Sequence, residues 1–469
     1  MFWLSIGTWS VKLQIASNCI LVMTLASLLV AGLTSKAAGT KIANAADSDP
    51  VPKATTDAAH ETFSITYTIE ITPAEPAHAR VRWALAGIDE IERIRLRFDP
   101  DRFADFAGSG AIEHRRGEIL WSPGGPYAEL HYTARVDHRH APGKGYDSYA
   151  GDGWILSRTT AFFPRSAVLF RREIEAHPES RARLAVRLPH GWDSASVLAP
   201  DGPDRYIVET PHQRLDHPRG WLLLGRIRRI DSMVAGTSLT IALAPGLTME
   251  TDPLVELLQQ TLPALASLFD RRLPRLLIVV GPDPMWRGGL SGEESFYMHG
   301  DRPLRSPDYT SPYLHELFHV ATPFRPHADA HWVTEGLAEY YSIELQRRTG
   351  TLSEAHYQRA LELFAKHGVW NHDFTRTSIP ALRNNSAPLI MYVLDQRIRA
   401  ATGDQRGLDA VVTSLAREGG VVSTARFLGT IQRVAGKSFA GFFRRHVYRG
   451  EQPAISSLPA DPPPRSDLR

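Results

Sequence analysis

The chain has 469 residues, too many for one ordinary hydrophobic core, so two or three domains are expected. Apolar content of 43%, charged content of 22% and a formal net charge of +2 describe a globular protein without a basic face, which excludes nucleic acid as a partner. The single cysteine, Cys19, lies in an apolar N-terminal stretch, so disulfides and thiolate ligands are excluded and any metal site must use imidazole and carboxylate.

In chain order, Ile20 to Leu33 is almost wholly apolar, follows Lys12 and precedes Ala43-Asn44-Ala45, a small-residue cleavage pattern. Residues 1–45 are therefore expected to be an export signal or, uncleaved, a membrane anchor, giving a periplasmic, secreted or membrane-attached protein. No other segment is long and apolar enough to span a bilayer. Residues 46–60, rich in Ala, Asp, Pro and Thr, read as a linker.

From 61 to 247 the pattern is strand-like. Phe63, Ile65, Tyr67, Ile69 and Ile71 alternate with polar neighbours, and Val81-Trp83-Leu85, Ile94-Leu96-Phe98, Leu184-Val186-Leu188 and Leu239-Ile241-Leu243 repeat the period of two. A β-rich, sandwich-like domain is expected, with a long Gly- and Pro-rich loop around Ala141 to Gly153 reaching toward another domain. The aromatic segment Trp154 to Phe163 reads as core packing, with cleft lining as the alternative. His138 and His140 fall on one strand face, read as solvated.

At Asp252-Pro253 the pattern turns helical, with Asp252 as cap and Leu254, Leu257, Leu258, Leu265 and Leu268 on one face. A short buried strand follows at Leu276 to Val280, and from Ser311 onward the periodic segments read as helix. The expected division is 248–350 for a mixed catalytic unit, 351–450 for a helical C-terminal domain and 451–469, with Pro462-Pro463-Pro464, for a disordered tail.

The segment Ser311-Pro312-Tyr313-Leu314-His315-Glu316-Leu317-Phe318-His319 places His-Glu-x-x-His directly after a cap-and-proline helix start. A spacing of four puts both imidazoles on one helix face, within reach of one metal ion. Glu316 then stands beside the metal, where a general base must be to take a proton from attacking water. So short a motif recurs by chance, and a catalytic site needs a third ligand. Pro323 ends this helix, Asp329 can cap a second, and the segment Trp332 to Tyr341 would bring a carboxylate back toward the histidines. His327 and His331 are also four apart, one turn before Glu335, but form no coherent motif.

The pair HELFH and WVTEGLAEYY resembles the gluzincin zinc metallopeptidases, whose Glu-bearing helix reads WxxEGxAxYY. Within them the chain is most similar to the glycyl-aminopeptidase family, also through Arg325-Pro326, Arg287-Gly288-Gly289-Leu290 and Leu394-Asp395-Gln396-Arg397-Ile398-Arg399. The resemblance implies a multidomain α+β fold with a β-rich sandwich-like N-terminal domain, a thermolysin-like mixed catalytic domain and a helical C-terminal domain. It also implies a single Zn2+ on His315, His319 and Glu335, with Glu316 as general base. By the same resemblance Glu339 hydrogen-bonds the outer nitrogen of a ligand histidine, the alternative being a solvated carboxylate, and Gly288 and Gly289 border the substrate.

The expected activity is zinc-dependent hydrolysis of a peptide substrate, as an aminopeptidase. The alternatives are an endopeptidase and a catalytically weakened zinc-binding or scaffold protein of the cell envelope. Two positions depart from the family. Ser291 stands where it has a glutamate after Gly-Gly-Leu, and Arg383-Asn384-Asn385-Ser386-Ala387 stands where it has a catalytic tyrosine. Tyr392, Tyr340, Tyr297 and His299 are the candidate replacements as oxyanion donor. The family's C-terminal PDZ module is expected to be absent.

Overall fold

The computed structural model describes residues 62–171, 179–209, 215, 217–376 and 385–454. The expected leader, the linker, nearly all of the tail and the Arg383-Asn384 pair lie outside them. Among the described residues no helix is long and apolar enough to cross a membrane.

The strand-like first part folds as sheets stacked face to face, because its alternating residues must bury one face each. A seven-stranded sheet runs in the order Ala199–Pro200, Arg205–Val208, Glu179–Arg187, Thr62–Glu70, His78–Ala86, Tyr127–Arg135, Phe103–Gly108. Its inward residues include Phe63, Ile65, Tyr67, Val81, Trp83 and Leu184, which share one core with Ile94 and Leu96 of a four-stranded sheet. Inside that core Trp83 Nε1 donates to the Tyr132 hydroxyl (2.9 Å), which donates to the Phe162 carbonyl (2.9 Å), so buried polar groups are satisfied.

A five-stranded sheet, ordered Asp193–Ser196, Trp221–Gly225, Trp154–Arg158, Tyr146–Gly151, His138–Arg139, is buried on both faces at Trp221–Gly225 and Trp154–Arg158 and exposed at His138–Arg139. Ile155, Leu222 and Leu224 enter the N-terminal core, whereas Trp154, Leu156, Trp221 and Leu223 enter a second core with Ala242, Leu277, Val279 and Tyr297. This two-sided burial explains why these strands read as near-continuous apolar runs. The expected loop at Ala141 to Gly153 does reach the following domain but contains a strand, Tyr146–Gly151. Tyr146 N donates to Pro284 O (3.0 Å) and Trp286 N to Tyr146 O (2.7 Å). His138 and His140 are exposed, as expected of a solvated face, and both also face Asp147, at 2.6 and 3.7 Å, with His140 packed on Trp286.

The next sheet is ordered Arg228–Val234, Thr237–Leu243, Arg275–Gly281, Ser295–His299, Gly289–Gly292, so the last two strands of the stretch read as N-terminal pair here. Thr237–Leu243 and Arg275–Gly281 run parallel, with Leu239, Ile241, Leu276, Ile278 and Val280 facing the helices. Gly289–Gly292 is the sheet's free edge.

The helices are α1 (Asp252–Phe269), α2 (Pro312–Ala321), α3 (His331–Arg348), α4 (Glu354–His367), α5 (Ala387–Thr402), α6 (Leu408–Glu418), α7 (Thr424–Ala435) and α8 (Ala440–Phe443). Two expected caps differ. Thr251 precedes α1, so Asp252 already lies within the first turn, where its charge faces the positive helix end. Ala330, not Asp329, precedes α3; Asp329 instead bonds His327 Nδ1 (2.7 Å) and the Thr424 amide (3.3 Å).

Helix α3 is the axis of the helical part. From Trp332 to Gln346 every residue is buried except Glu335 and Glu339, one turn apart. Gly336 sits between them because a β-carbon there would come within 2.7 Å of Ala387 on α5. Further along, the buried Glu344 accepts from Arg347 and Arg348 at 2.8–2.9 Å, and Arg348 also donates to Asp409 of α6. Burial alone would raise the Glu344 carboxyl; the hydrogen bonds from Arg347 and the charge of Arg348 outweigh it and hold the pKa at about 2. Because this value lies below the unfolded one, the stabilisation is complete above about pH 4.5 and is lost as pH falls toward about 2. Glu344→Gln is expected to destabilise the protein at pH 7 by about 2 kcal/mol, since the half-buried Arg347 and Arg348 lose the buried anion they share while Arg348 keeps Asp409. Urea melts of the parent and variant across that window check this: the difference should shrink as pH falls.

Candidate metal centre and cleft

Helix α2 starts where sequence places it: Ser311 Oγ accepts from Leu314 N (3.4 Å) and Pro312 occupies the first turn. Its buried face holds Tyr313, Leu314, Leu317, Phe318 and Ala321, which leaves His315, Glu316 and His319 half-buried on the opposite side. That side faces α3 and the edge strand Gly289–Gly292, so the pair left uncovered on α3, Glu335 and Glu339, meets the pair of histidines.

The meeting is close. His315 Nε2 and His319 Nε2 lie 3.1 Å apart, and Glu335 Oε2 lies 3.4 Å from the first and 3.7 Å from the second. Bonds of about 2.0–2.2 Å to a tetrahedral zinc set neighbouring ligand atoms about 3.3–3.5 Å apart, so these three donors form one face of a tetrahedron of that size. Residues and metal fit. Glu339 Oε2 lies 2.5 Å from His315 Nδ1, which holds that nitrogen as the donor and leaves Nε2 free to bind. It is not a solvated carboxylate.

Burial opposes a charged His315, but hydrogen bonds to Glu335 and Glu339 outweigh it and hold the imidazole's pKa well above its ordinary value. Glu335 is likewise opposed by burial, and the two histidines hold it well below the carboxylate range. Glu316 accepts no such bonds. Burial pushes its pKa up, only partly offset by His315 and His319.

The cleft over these residues encloses about 440 Å³ and is lined also by Arg158, Gly289, Leu290, Ser291, Arg325 and His331. Gly289 has a steric reason. A β-carbon there would fall 2.5 Å from Glu316 Cγ and 2.6 Å from its Oε1, so only glycine lets the sheet edge lie against this carboxylate. Gly288 is outside the cleft lining; its α-carbon abuts the Trp286 indole instead, where a β-carbon would come within 2.3 Å of Nε1.

None of the candidate oxyanion donors lines the cleft. Tyr297 donates to the Trp286 carbonyl (2.8 Å), Tyr340 and Tyr392 are buried among the helices, and His299 is buried beside Asp283. Asp283, His299 and Asp301 also cluster, but Arg287 is paired with both carboxylates and supplies their countercharge. His327 bonds Asp329 and does not join His331.

Arg325, noted in the sequence with Pro326, and His331, noted with His327, both line the cleft, and Arg158 joins them as a cleft residue that no motif singled out. For Arg158 the one signal is strand parity: it follows Trp154 and Leu156 at intervals of two, on the face turned to the catalytic sheet.

Neither a family model nor a curated protein matches the sequence. Solved structures match in fold. An aminopeptidase N family protein from Idiomarina loihiensis aligns over 84% of this chain and 77% of its own, with a TM-score of 0.64 at 14% identity. The M1 zinc metallopeptidase from Deinococcus radiodurans aligns over 86% of this chain and 96% of its own, with a TM-score of 0.54 at 15% identity. A mutant of the latter, bound to a Tyr-Ser-Ala substrate, aligns with a TM-score of 0.55 at 16% identity, over 85% of this chain and 95% of its own. The chain thus has the multidomain α+β fold of these metallopeptidases, with the β-rich, mixed and helical parts in the same architecture.

Proposed function

We propose that the protein is a zinc-dependent peptidase, with His315, His319 and Glu335 holding one Zn2+ and Glu316 acting as general base. The observation that carries this is the convergence of three donors in a tetrahedral face with a fourth, uncommitted carboxylate beside them. Bound there, zinc supplies Lewis acidity toward a scissile carbonyl and toward water. Glu316 takes the proton from the attacking water and returns it to the leaving amine. Glu339 orients His315. Gly289–Gly292 is an edge strand of its sheet among the described residues, and the backbone groups left beside Leu290 O and Ser291 O, which accept from Trp221 and Arg158, can pair with an extended peptide.

The fold neighbours, among them a Legionella pneumophila aminopeptidase A solved with aspartic acid, support removal of N-terminal residues. The cleft supports a second reading, cleavage without a free amino terminus, because Glu316 and Glu335 are its only carboxylates among the described residues. The apolar stretch at residues 20–33 supports action outside the cytoplasm. The deciding measurement is cleavage of a peptide library, each member free or N-acetylated, with and without a chelator. Chelator-sensitive hydrolysis is expected, and its restriction to free amines would select the aminopeptidase; a purified protein that binds zinc and cleaves nothing would overturn the reading in favour of a scaffold.

A further inference from the structure

The cleft is charged in an unexpected sense. Apart from Glu335 among the proposed metal ligands and Glu316 as base, every charged side chain lining it is a cation, Arg158 on one wall and Arg325 on the other. Arg158 is half-buried at the end of its strand. Its guanidinium stacks 4.9 Å over the Trp221 ring and donates to Ser291 O (3.0 Å), so it is fixed against the sheet edge along which a peptide would lie. Burial lowers its pKa, with Asp147 and Glu316 opposing from a distance, yet no carboxylate pairs with it among the described residues. A guanidinium has five N–H donors, and one backbone carbonyl leaves most of them unused. A half-buried, rigidly held cation that lacks an anionic partner among the described residues is poised to take a bidentate anion.

Beyond Arg158 the groove continues. A second hollow of about 590 Å³, which Arg158 shares, is lined by Arg165, Arg219, Gly292 and Glu293, and there Arg219 is paired with Glu293. The cationic character therefore runs along the same edge strand and away from the metal centre.

We propose that Arg158 is the binding group for a substrate carboxylate, so that the cleft selects peptides carrying an acidic group near the scissile bond. This rests on the peptidase reading above. The carboxylate is either an Asp or Glu side chain or the peptide's own C-terminus; both offer the same planar pair of oxygens. A substrate ammonium, by contrast, would find only Glu316 and Glu335 for a partner, and each has another task.

The test is calorimetric binding to zinc-loaded Glu316→Gln protein, which separates binding from turnover. The probes are short peptides with Glu or Gln at one position at a time, each with a free or an amidated C-terminus. For one position the Glu peptide is expected to bind about tenfold more tightly than its Gln counterpart. If instead amidation alone removes the advantage, the C-terminal carboxylate is the source. Adding Arg158→Gln should bring the Glu-to-Gln ratio below about twofold, Arg158→Lys should keep part of it, and Arg158→Glu should invert it toward Lys peptides. Melting temperature and zinc content identify any variant that fails to fold, in which case the ratios measured on the Arg158 protein decide.

Equal binding of charged and neutral peptides, or a preference that persists in Arg158→Gln, overturns the proposal. Failure of the peptidase reading looks different: no hydrolysis by the parent, with Arg158-dependent binding intact.

Discussion

Glu316→Gln should leave a folded protein that still holds zinc and lowers kcat for peptide hydrolysis by about a hundredfold to ten-thousandfold. Glutamine keeps the shape that fits against Gly289 but cannot accept a proton. Glu316 is not among the three converging donors, so the metal content measured by atomic absorption should not change. The magnitude follows from the task. A base placed beside the attacking water contributes through the transition state, and KM should therefore move far less than kcat. Equal turnover by parent and variant would remove Glu316 from the mechanism.

The second large effect concerns the metal itself. Glu335→Gln exchanges an anionic donor for a neutral amide at a site with three protein ligands, and Glu339→Gln alters only the partner of His315 Nδ1. Loss of such an outer partner costs roughly tenfold to hundredfold in metal affinity, and loss of a direct anionic donor should exceed that. Competition with a zinc-binding dye should therefore rank the proteins parent, Glu339→Gln, Glu335→Gln, from tightest to weakest. A Glu335→Gln protein that binds zinc as tightly as the parent would show that the metal is held elsewhere.

What sequence conveyed well was what local periodicity encodes. The four-residue spacing of His315 and His319, and of Glu335 and Glu339, fixes their helix faces before anything is known of the fold. The strand alternation of Phe63 to Ile71 likewise gives the buried face directly. Which strands share a sheet is a matter of long-range pairing, and Leu239-Ile241-Leu243 looks the same whether its neighbour is an N-terminal strand or, as here, Arg275–Gly281. Asp252 and Asp329 were plausible caps by residue type, but other partners claimed them: helical backbone for the first, His327 and Thr424 for the second. Arg158 was concealed in an aromatic segment because its position depends on two cores at once, and periodicity in one strand cannot say what lies across either face. That Gly289 would border a cleft was implied by the resemblance, whereas its close approach to Glu316 needed coordinates.

The doubly buried sheet of Trp154–Arg158 and Trp221–Gly225 has a mechanical consequence. Arg158 and the cleft edge Gly289–Gly292 are carried by two sheets joined through one apolar core, in which Trp154, Leu156, Trp221 and Leu223 pack with Leu277, Val279 and Tyr297. Cores packed in this way resist shear, so the two sheets that carry Arg158 and Gly289 should keep their spacing when a peptide binds. Selection of substrates then falls to width and charge already in place, and new specificities would arise by changing the residues on the walls without disturbing the hinge-free body that carries them.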